Sequence, residues 1–328
     1  MYGRREGQEI PIPALPAGEV TAIQISADGH TVALLLDTAT RPAEVAIVDL
    51  KQGSFRYLTD SRPPGLQLIR PTEPERVSFP SENGRVVSAL QYRPEGPGPF
   101  PALIWIHGGP HGQERPGYSR AGLYQYLVTR KIAIIGPDMA GSTGYGTSFQ
   151  KLLHRDWGGV DLEDFAATLA YLRSLDWVDS TRIAVAGGSY GGFAALTCLS
   201  RLDHPWAAGV SLCGPSNLVT LATACPPTWR NFVDRVLGNP EKDAELLRQR
   251  SPITHAERIE APLYVFQGAK DPRVPRAESD QIVEKVRANG IDVRYDIYPD
   301  EGHGFTSRDN EIRVYGEIGN FLLQHLIQ

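Results

Sequence analysis

The sequence has 328 residues, of which 41% are hydrophobic and 22% charged, as in an ordinary globular protein with room for one large domain or for a domain with a small appendage. A formal net charge of −5 at pH 7 argues against nucleic acid as a partner. No apolar run is long enough to span a bilayer, and the first residues lack the apolar stretch of a secretion signal, so we expect no membrane segment and a cytoplasmic protein.

The first seventy residues predict a small antiparallel β-sheet. Four short apolar runs, at residues 20–26, 31–37, 44–50 and 55–59, are separated by turn residues. They resemble one blade of a β-propeller, although no second copy occurs and repeat folds need several units. A small β segment resting on the next domain is the alternative. Clustered prolines place the boundary between segments 1–70 and 71–328.

From about residue 100, strand-like runs alternate with helical patterns. This alternation predicts an α/β fold with a doubly wound, mostly parallel sheet and helices on both faces. The predicted strands are 102–106, 132–136, 183–186, 208–212, 262–267 and 293–298. The predicted helices are 118–130, 161–174, a helix after Gly191, 276–288 and 311–327, with a less regular stretch between 213 and 250.

Residues 187–191 read GGSYG and match the G-x-S-x-G pattern of a serine placed on a strand-to-helix turn. The small neighbours let the strand and the helix approach closely, while the serine takes a strained conformation that exposes its hydroxyl. Ser189 is therefore a candidate nucleophile.

Glycine-rich turns also bind phosphate groups, so a nucleotide site is an alternative for this loop. No Lys-Ser or Lys-Thr follows the glycines, which excludes a P-loop. A second glycine-rich stretch, GSTGYG at 141–146, has Phe149 where a dinucleotide fingerprint starting at Gly144 needs its last glycine. The motif at Ser189 alone leaves a catalytic turn and a structural turn equally open.

A nucleophilic serine needs a base and an acid that orients the base, which follow in the order Ser, Asp, His when the serine stands on such a turn. Asp271 follows the predicted strand 262–267, and His303 follows the strand 293–298. The carboxyl ends of parallel strands share one edge of the sheet, so we expect all three side chains to converge there. Asp300 is the rival acid, but it lies only three residues before His303, which disfavours it.

Attack on a carbonyl group also needs backbone N–H donors for the negative charge that grows on its oxygen. Residues 107–110, HGGP, end the first core strand, where lipases and esterases carry a loop of this type. The N–H groups of Gly109 and Tyr190 are therefore the candidate oxyanion hole.

Metal binding is not indicated by the sequence. His107 and His111 are four residues apart, but the intervening Gly-Gly-Pro prevents the helix that would place both rings on one face. The three cysteines, Cys198, Cys213 and Cys225, have no metal-like spacing, so we expect free thiols and no metal.

Together these motifs resemble the prolyl oligopeptidase family of serine peptidases, in its acylaminoacyl peptidase branch, from about residue 71 to the C-terminus. The segments that carry the resemblance are WIHGGP at 105–110, GSTGYG at 141–146, WGG at 157–159 with Asp161 and Asp164, GGSYGG at 187–192, QG at 267–268 with Asp271, Val274 and Pro275, and GHGF at 302–305. The resemblance implies an α/β-hydrolase domain that works without a cofactor. It also implies cleavage of short or N-acylated peptides through an acyl-enzyme on Ser189, and it identifies the N-terminal meander as the remnant of a propeller.

A complete member of that family carries a whole propeller, whereas this chain has room for about one blade. The chain is then either a truncated form or a short relative with an open site, and in the second case a carboxylesterase acting on small acyl esters is the alternative. A non-catalytic binding protein of this fold is a remote alternative, disfavoured by the intact triad. Trp229 and Val274 are candidates for a substrate pocket, with an ordinary buried loop as the alternative around Trp229. Open strand edges also suggest a homo-oligomer.

Overall fold

The computed structural model describes residues 3–5, 8–118 and 120–327. Within these residues the chain forms a two-stranded, a four-stranded and an eight-stranded β-sheet. Residues 1, 2, 6 and 7 of the predicted N-terminal segment, Ser119 in the predicted helix 118–130, and Gln328 lie outside the described residues.

The N-terminal part forms the antiparallel meander that the sequence predicts. Its strands are β1 (Gly3–Arg5), β2 (Gln8–Ile10), β3 (Gly18–Ile25), β4 (Thr31–Thr38), β5 (Arg41–Asp49) and β6 (Ser54–Tyr57). Strands β3 to β6 pair in chain order, each antiparallel to the next, and β1 and β2 form a separate antiparallel pair that was not predicted. Alternate residues of β4 and β5, including Leu34, Leu36, Ala46 and Val48, are buried, as expected for one covered face of a sheet.

The remaining strands build the large sheet. They are β7 (Glu75–Pro80), β8 (Val86–Tyr92), β9 (Phe100–Ile106), β10 (Ala133–Asp138), β11 (Val178–Gly188), β12 (Ala208–Leu212), β13 (Leu263–Gly268) and β14 (Val293–Tyr298). Their order is β14-β13-β12-β11-β9-β10-β8-β7. Strands β9 to β14 pair in parallel, and only β8 runs against its neighbours β10 and β7. The predicted doubly wound, mostly parallel sheet is confirmed.

Helices cover both faces of this sheet. They are α1 (Pro64–Gln67), α2 (Leu123–Thr129), α3 (Thr147–Lys151), α4 (Val160–Ser174), α5 (Tyr190–Arg201), α6 (Leu218–Ala224), α7 (Arg230–Val236), α8 (Ala244–Arg250), α9 (Arg276–Ala288) and α10 (Arg308–Leu326). Helices α4, α5 and α9 pack their apolar side chains into one core layer, and α2 and α10 into the other. Across the described residues, none of the helices combines the length and the apolar character that a bilayer crossing requires.

The prediction omits several elements. It lacks β7 and β8, because they precede the regular alternation and because β7 is largely exposed with mixed polarity. It also treats residues 213–250 as irregular, where the structure has the short helices α6, α7 and α8. Each of these has seven residues and at most two buried side chains, so no helical period stands out in the sequence.

The four-stranded sheet is joined to the large domain by polar contacts at the start of α2. The Gln125 amide Nε2 donates to the carbonyl oxygens of Ala39 and Thr72, both at 2.9 Å, and its Oε1 accepts from the Thr72 N–H at 2.8 Å. The carboxylate of Asp37 accepts from the Tyr118 N–H at 3.0 Å. Because Gln125 is only 2% exposed and its bond to Ala39 is buried, water has little access to this junction.

Replacing Gln125 with Ala should lower the free energy of unfolding by about 2–3 kcal/mol, because one buried and two partly buried backbone groups lose their partner. Urea denaturation followed by circular dichroism measures the change. The exposed helix residue Gln249 provides the control, since Gln249→Ala should change the free energy by less than about 0.5 kcal/mol. Equal effects of the two substitutions would contradict the role given to Gln125.

Candidate active site

Ser189 stands on the sharp turn between β11 and α5. Its backbone has φ 58° and ψ −121°, a region that non-glycine residues rarely occupy. Glycine is required on both sides: a Cβ atom on Gly187 would overlap the carbonyl of Gly191, and one on Gly191 would overlap the carbonyl of Ile106. The Ser189 N–H donates to the Leu212 carbonyl at 2.7 Å. The strand and helix therefore meet closely enough to place the hydroxyl at the carboxyl edge of the sheet.

The structure brings together the three side chains that the sequence selects. The Ser189 Oγ lies 2.8 Å from His303 Nε2. The other ring nitrogen, Nδ1, lies 2.6 Å from Asp271 Oδ2. A carboxylate can only accept, so Nδ1 carries the proton and Nε2 is free to accept from the serine hydroxyl. A serine in this arrangement has a base in place to take its proton.

Asp271 is held as an ionised carboxylate. Burial favours its neutral form, but the hydrogen bonds from His303 and from the N–H groups of Val274 and Arg273 outweigh burial, so the pKa of Asp271 lies below its usual value. Those N–H groups lie 2.9 and 2.8 Å from Asp271 Oδ1. The rival acid, Asp300, is 85% exposed and pairs with Lys270 at 3.2 Å.

The loop after β9 lies against Ser189. A Cβ atom on Gly108 would stand 3.5 Å from the Ser189 Cβ, and Gly109 has φ 128°, in the range that favours glycine. The ring of His107 holds this loop, with Nε2 2.8 Å from Ser142 Oγ and Nδ1 2.9 Å from the Gly108 carbonyl. The glycine-rich stretch 141–146 therefore contacts the loop after β9 through Ser142.

The side chain of Tyr190 anchors the turn from inside the protein. Its hydroxyl donates to Asp161 Oδ2, which also accepts from the Gly158 N–H at 3.0 Å. Tyr190 is 1% exposed and Asp161 is fully buried, and the Trp157 ring packs edge-on against Tyr190 with centroids 4.8 Å apart. Burial raises the pKa of Asp161 to about 6, although the hydrogen bonds from Tyr190 and Gly158 oppose the shift.

A cavity of about 230 Å³ opens beside Ser189. Its walls are Gly188, Ser189, Leu212, Cys213, His303, Gly304, Phe305, Glu311 and Tyr315. The two residues predicted for a substrate pocket are not among them. The Val274 side chain is 5% exposed and its N–H is bound to Asp271, and Trp229 stands 42% exposed on a single turn before α7. Val274 therefore positions Asp271 and does not line this cavity.

Sequence reasoning missed two of the lining residues, Glu311 and Tyr315. Cys213 comes directly after β12, at a strand end like those that located Asp271 and His303. Glu311 and Tyr315 lie on α10, where no strand-end signal exists. In the described part of the chain no group of three His, Cys, Asp or Glu side chains could hold a metal ion.

Comparison with known proteins adds to this geometry. The model of the prolyl oligopeptidase family matches residues 119–328. Dipeptidyl aminopeptidase BIII of Pseudoxanthomonas mexicana is 33% identical over 96% of this chain and 47% of its own length.

Solved structures resemble the whole described fold. The crystal structure of puromycin hydrolase has a TM-score of 0.85 at 28% identity and matches 97% of this chain and 49% of its own. The uncomplexed acylaminoacyl peptidase of Pyrococcus horikoshii has a TM-score of 0.84 at 25% identity and matches 96% of this chain and 50% of its own. The chain thus spans about half the length of the relatives it matches.

The raised pKa of Asp161 predicts a pH-dependent stability. The folded protein holds this proton up to about pH 6, whereas the unfolded chain releases it at the ordinary value of 3.8. Wild-type stability relative to Asp161→Asn, which lacks the titration, should therefore fall by about 2–3 kcal/mol as the pH rises from about 4 to about 7. Urea denaturation of both proteins across this range measures the difference, because groups common to both cancel. If the difference in free energy of unfolding between the two proteins does not change with pH, the raised pKa of Asp161 is contradicted.

Proposed function

The chain belongs to the prolyl oligopeptidase family, and on that premise we propose that it is a serine peptidase with Ser189 as nucleophile, His303 as general base and Asp271 as the acid that orients His303. The observation that carries the proposal is the continuous contact from Ser189 Oγ to His303 Nε2 and from His303 Nδ1 to Asp271. No cofactor is needed for this chemistry.

The geometry supports a two-step reaction. His303 takes the proton as the Ser189 oxygen attacks the substrate carbonyl, and the ionised Asp271 stabilises the imidazolium that results. His303 then gives the proton to the leaving amine, and an acyl group remains on Ser189. A water molecule, activated by His303 in the same way, releases the acyl group and restores the serine.

Gly109 and Tyr190 are the proposed donors to the carbonyl oxygen. As the first residue of α5, Tyr190 has an N–H without an acceptor inside the helix, and it directly follows the nucleophile. The Gly109 N–H lies in the loop that packs against Ser189. Each such donor typically lowers the barrier by about 3–4 kcal/mol, because the charge it meets appears only during the reaction.

Short peptides are the proposed substrates. The relatives include a dipeptidyl aminopeptidase and an acylaminoacyl peptidase, which supports substrates with either a free or an acylated N-terminus. Esters react through the same groups, so the test of Ser189 includes an ester.

We also propose the division into segments 1–70 and 71–328. The four-stranded sheet ends at Tyr57 and the large sheet begins at Glu75, with the prolines of the predicted boundary between them. Strands β3 and β6 form the two edges of the four-stranded sheet, so self-association through them stays a prediction. The molar mass measured by light scattering tests it.

Replacing Ser189 with Ala should lower kcat/KM by at least about ten-thousand-fold, because the acyl-enzyme can no longer form. The assay uses matched substrates, a dipeptide p-nitroanilide with a free or acetylated N-terminus and a p-nitrophenyl ester. The exposed serine of α4 serves as control, and Ser174→Ala should match wild type. If wild type and Ser189→Ala differ in anilide cleavage while Ser174→Ala matches wild type, the result supports a peptidase. If wild type cleaves only the ester, and Ser189→Ala does not, the result supports an esterase. Activity that survives in Ser189→Ala would overturn the mechanism.

Asp271→Asn should lower kcat by about ten-thousand-fold with little change in the far-UV circular dichroism, because the amide no longer holds His303 in the reactive tautomer. The matched control is Asp300→Asn, since Asp300 is exposed and pairs with Lys270, whereas the His303 ring contacts Asp271. Loss of activity in Asp300→Asn, with Asp271→Asn active, would reverse the assignment of the acid.

A further inference from the structure

The cavity beside Ser189 carries one permanent charge. Among the described residues that line it, Glu311 alone has a carboxylate or a basic group other than the His303 ring. Its side chain is half-buried, so the charge is partly shielded from water. A carboxylate in such a position acts on a bound ligand more strongly than one in open solvent.

The Glu311 carboxylate has no partner of its own among the described residues, since it makes neither a hydrogen bond nor a salt bridge with them. Neighbouring carboxylates differ in this respect. Glu301 accepts from Thr306, Ser307 and Asn310, and Glu114 accepts from Arg120 and Tyr124. Glu311 is thus a half-buried carboxylate that can accept a hydrogen bond from a ligand.

The backbone of Glu311 is nevertheless fixed. It lies in the first turn of α10, where its N–H donates to the Ser307 carbonyl at 3.0 Å and the Ser307 hydroxyl accepts from the Asn310 N–H at 3.4 Å. One turn further, Val314 and Ile318 are fully buried in the core. The helix therefore presents Glu311 to the cavity without requiring a rearrangement.

Glu311 also lines a second, wider cavity of about 810 Å³. Its walls come from the N-terminal segment, through Pro42, Ser61 and Pro63, and from the catalytic domain, through residues that include Arg120, Thr306, Arg308 and Glu311. Glu311 is common to both cavities, so it stands where the small space beside Ser189 meets the wider one. A peptide bound at Ser189 and extending into the wider cavity would pass this carboxylate.

Two basic residues, Arg120 and Arg308, line the wider cavity with Glu311, but neither lines the cavity beside Ser189. Arg120 is paired with Glu114 at 3.3 Å, and its guanidinium lies over the rings of Trp105 and Tyr124 at 4.6 and 4.8 Å. Arg308 is exposed and lines only the wider of the two cavities.

We propose that Glu311 binds a positively charged group of the substrate and so selects cationic peptides over neutral ones. The inference rests on the proposed peptidase function and adds its substrate class. The bound group is an ammonium or guanidinium that donates a charge-assisted hydrogen bond to the Glu311 carboxylate. It belongs either to the free N-terminus of the peptide or to a Lys or Arg side chain close to the scissile bond.

The test compares three p-nitroanilides with the same alanine before the scissile bond: Ala-Ala-p-nitroanilide with a free N-terminus, its neutral acetylated form, and acetyl-Lys-Ala-p-nitroanilide, which is charged only at the lysine side chain. Each is assayed with wild type, Glu311→Gln and Asp309→Asn. Asp309 is the matched control because it is an exposed acid in the same turn of α10 and lines neither cavity.

Glu311→Gln should lower kcat/KM for a cationic substrate by about 10- to 100-fold, the range expected for one charge-assisted hydrogen bond, and leave the neutral acetylated substrate within about twofold. If kcat/KM falls only for the substrate with a free N-terminus, Glu311 binds the N-terminal ammonium. If it falls only for the lysine substrate, Glu311 binds the side chain. Asp309→Asn should resemble wild type for all three. Equal losses for all three substrates, or no loss for either cation, would overturn the inference.

Failure of the proposed function is distinguishable from failure of this inference. If wild type cleaves none of the three, or if cleavage survives Ser189→Ala, the peptidase proposal fails. A binding measurement then tests the role of Glu311. Calorimetry compares Ser189→Ala with the double variant Ser189→Ala, Glu311→Gln, and the ligands are the same three peptides as C-terminal amides. Weaker binding of a cationic amide by about tenfold or more in the double variant supports the inference, and unchanged binding contradicts it.

Discussion

The close approach of β11 and α5 at Ser189 is the constraint on which the site depends. The turn forces a serine into φ 58°, and it closes only because Gly187 and Gly191 carry no Cβ atom. Three contacts hold this strained geometry: the hydrogen bond from the Ser189 N–H to Leu212, the capping of α5 by the Ser189 carbonyl, and the buried pair of Tyr190 and Asp161. Strain of this kind persists only where the surrounding structure fixes it, and here the result is an accessible hydroxyl.

The parallel sheet supplies the other parts at the same edge. Strand β13 ends just before Asp271 and β14 just before the loop of His303, while β9 ends at the loop that packs on Ser189. Because neighbouring strands run in the same direction, residues distant in sequence meet without long connecting loops. The same edge also borders the cavity whose far wall is formed by α10, so the final helix contributes both packing to the core and charge to the site.

Much of this could be predicted from the sequence, for identifiable reasons. Strands β12 and β14 and helix α9 match their predicted limits, since buried runs and amphipathic periods mark them clearly. Ser189, Asp271 and His303 follow from one motif and the rule of strand ends. The bond from His107 to Ser142, the pair of Asp161 and Tyr190 and the position of Glu311 could not be predicted, because each depends on how elements far apart in the chain pack together. Neither predicted pocket residue, Trp229 nor Val274, lines the cavity beside Ser189, because the place of a side chain relative to this cavity also depends on how distant elements pack.

The most direct test of the account is covalent labelling of the full chain by a fluorophosphonate, with the adduct located by mass spectrometry of peptides. Such a reagent phosphonylates a serine only when a base activates it. The account predicts one adduct on Ser189, formed far more slowly in His303→Ala and absent in Ser189→Ala. No adduct in wild type, or an adduct on another serine such as Ser142, would contradict the claim that Ser189 is the activated nucleophile.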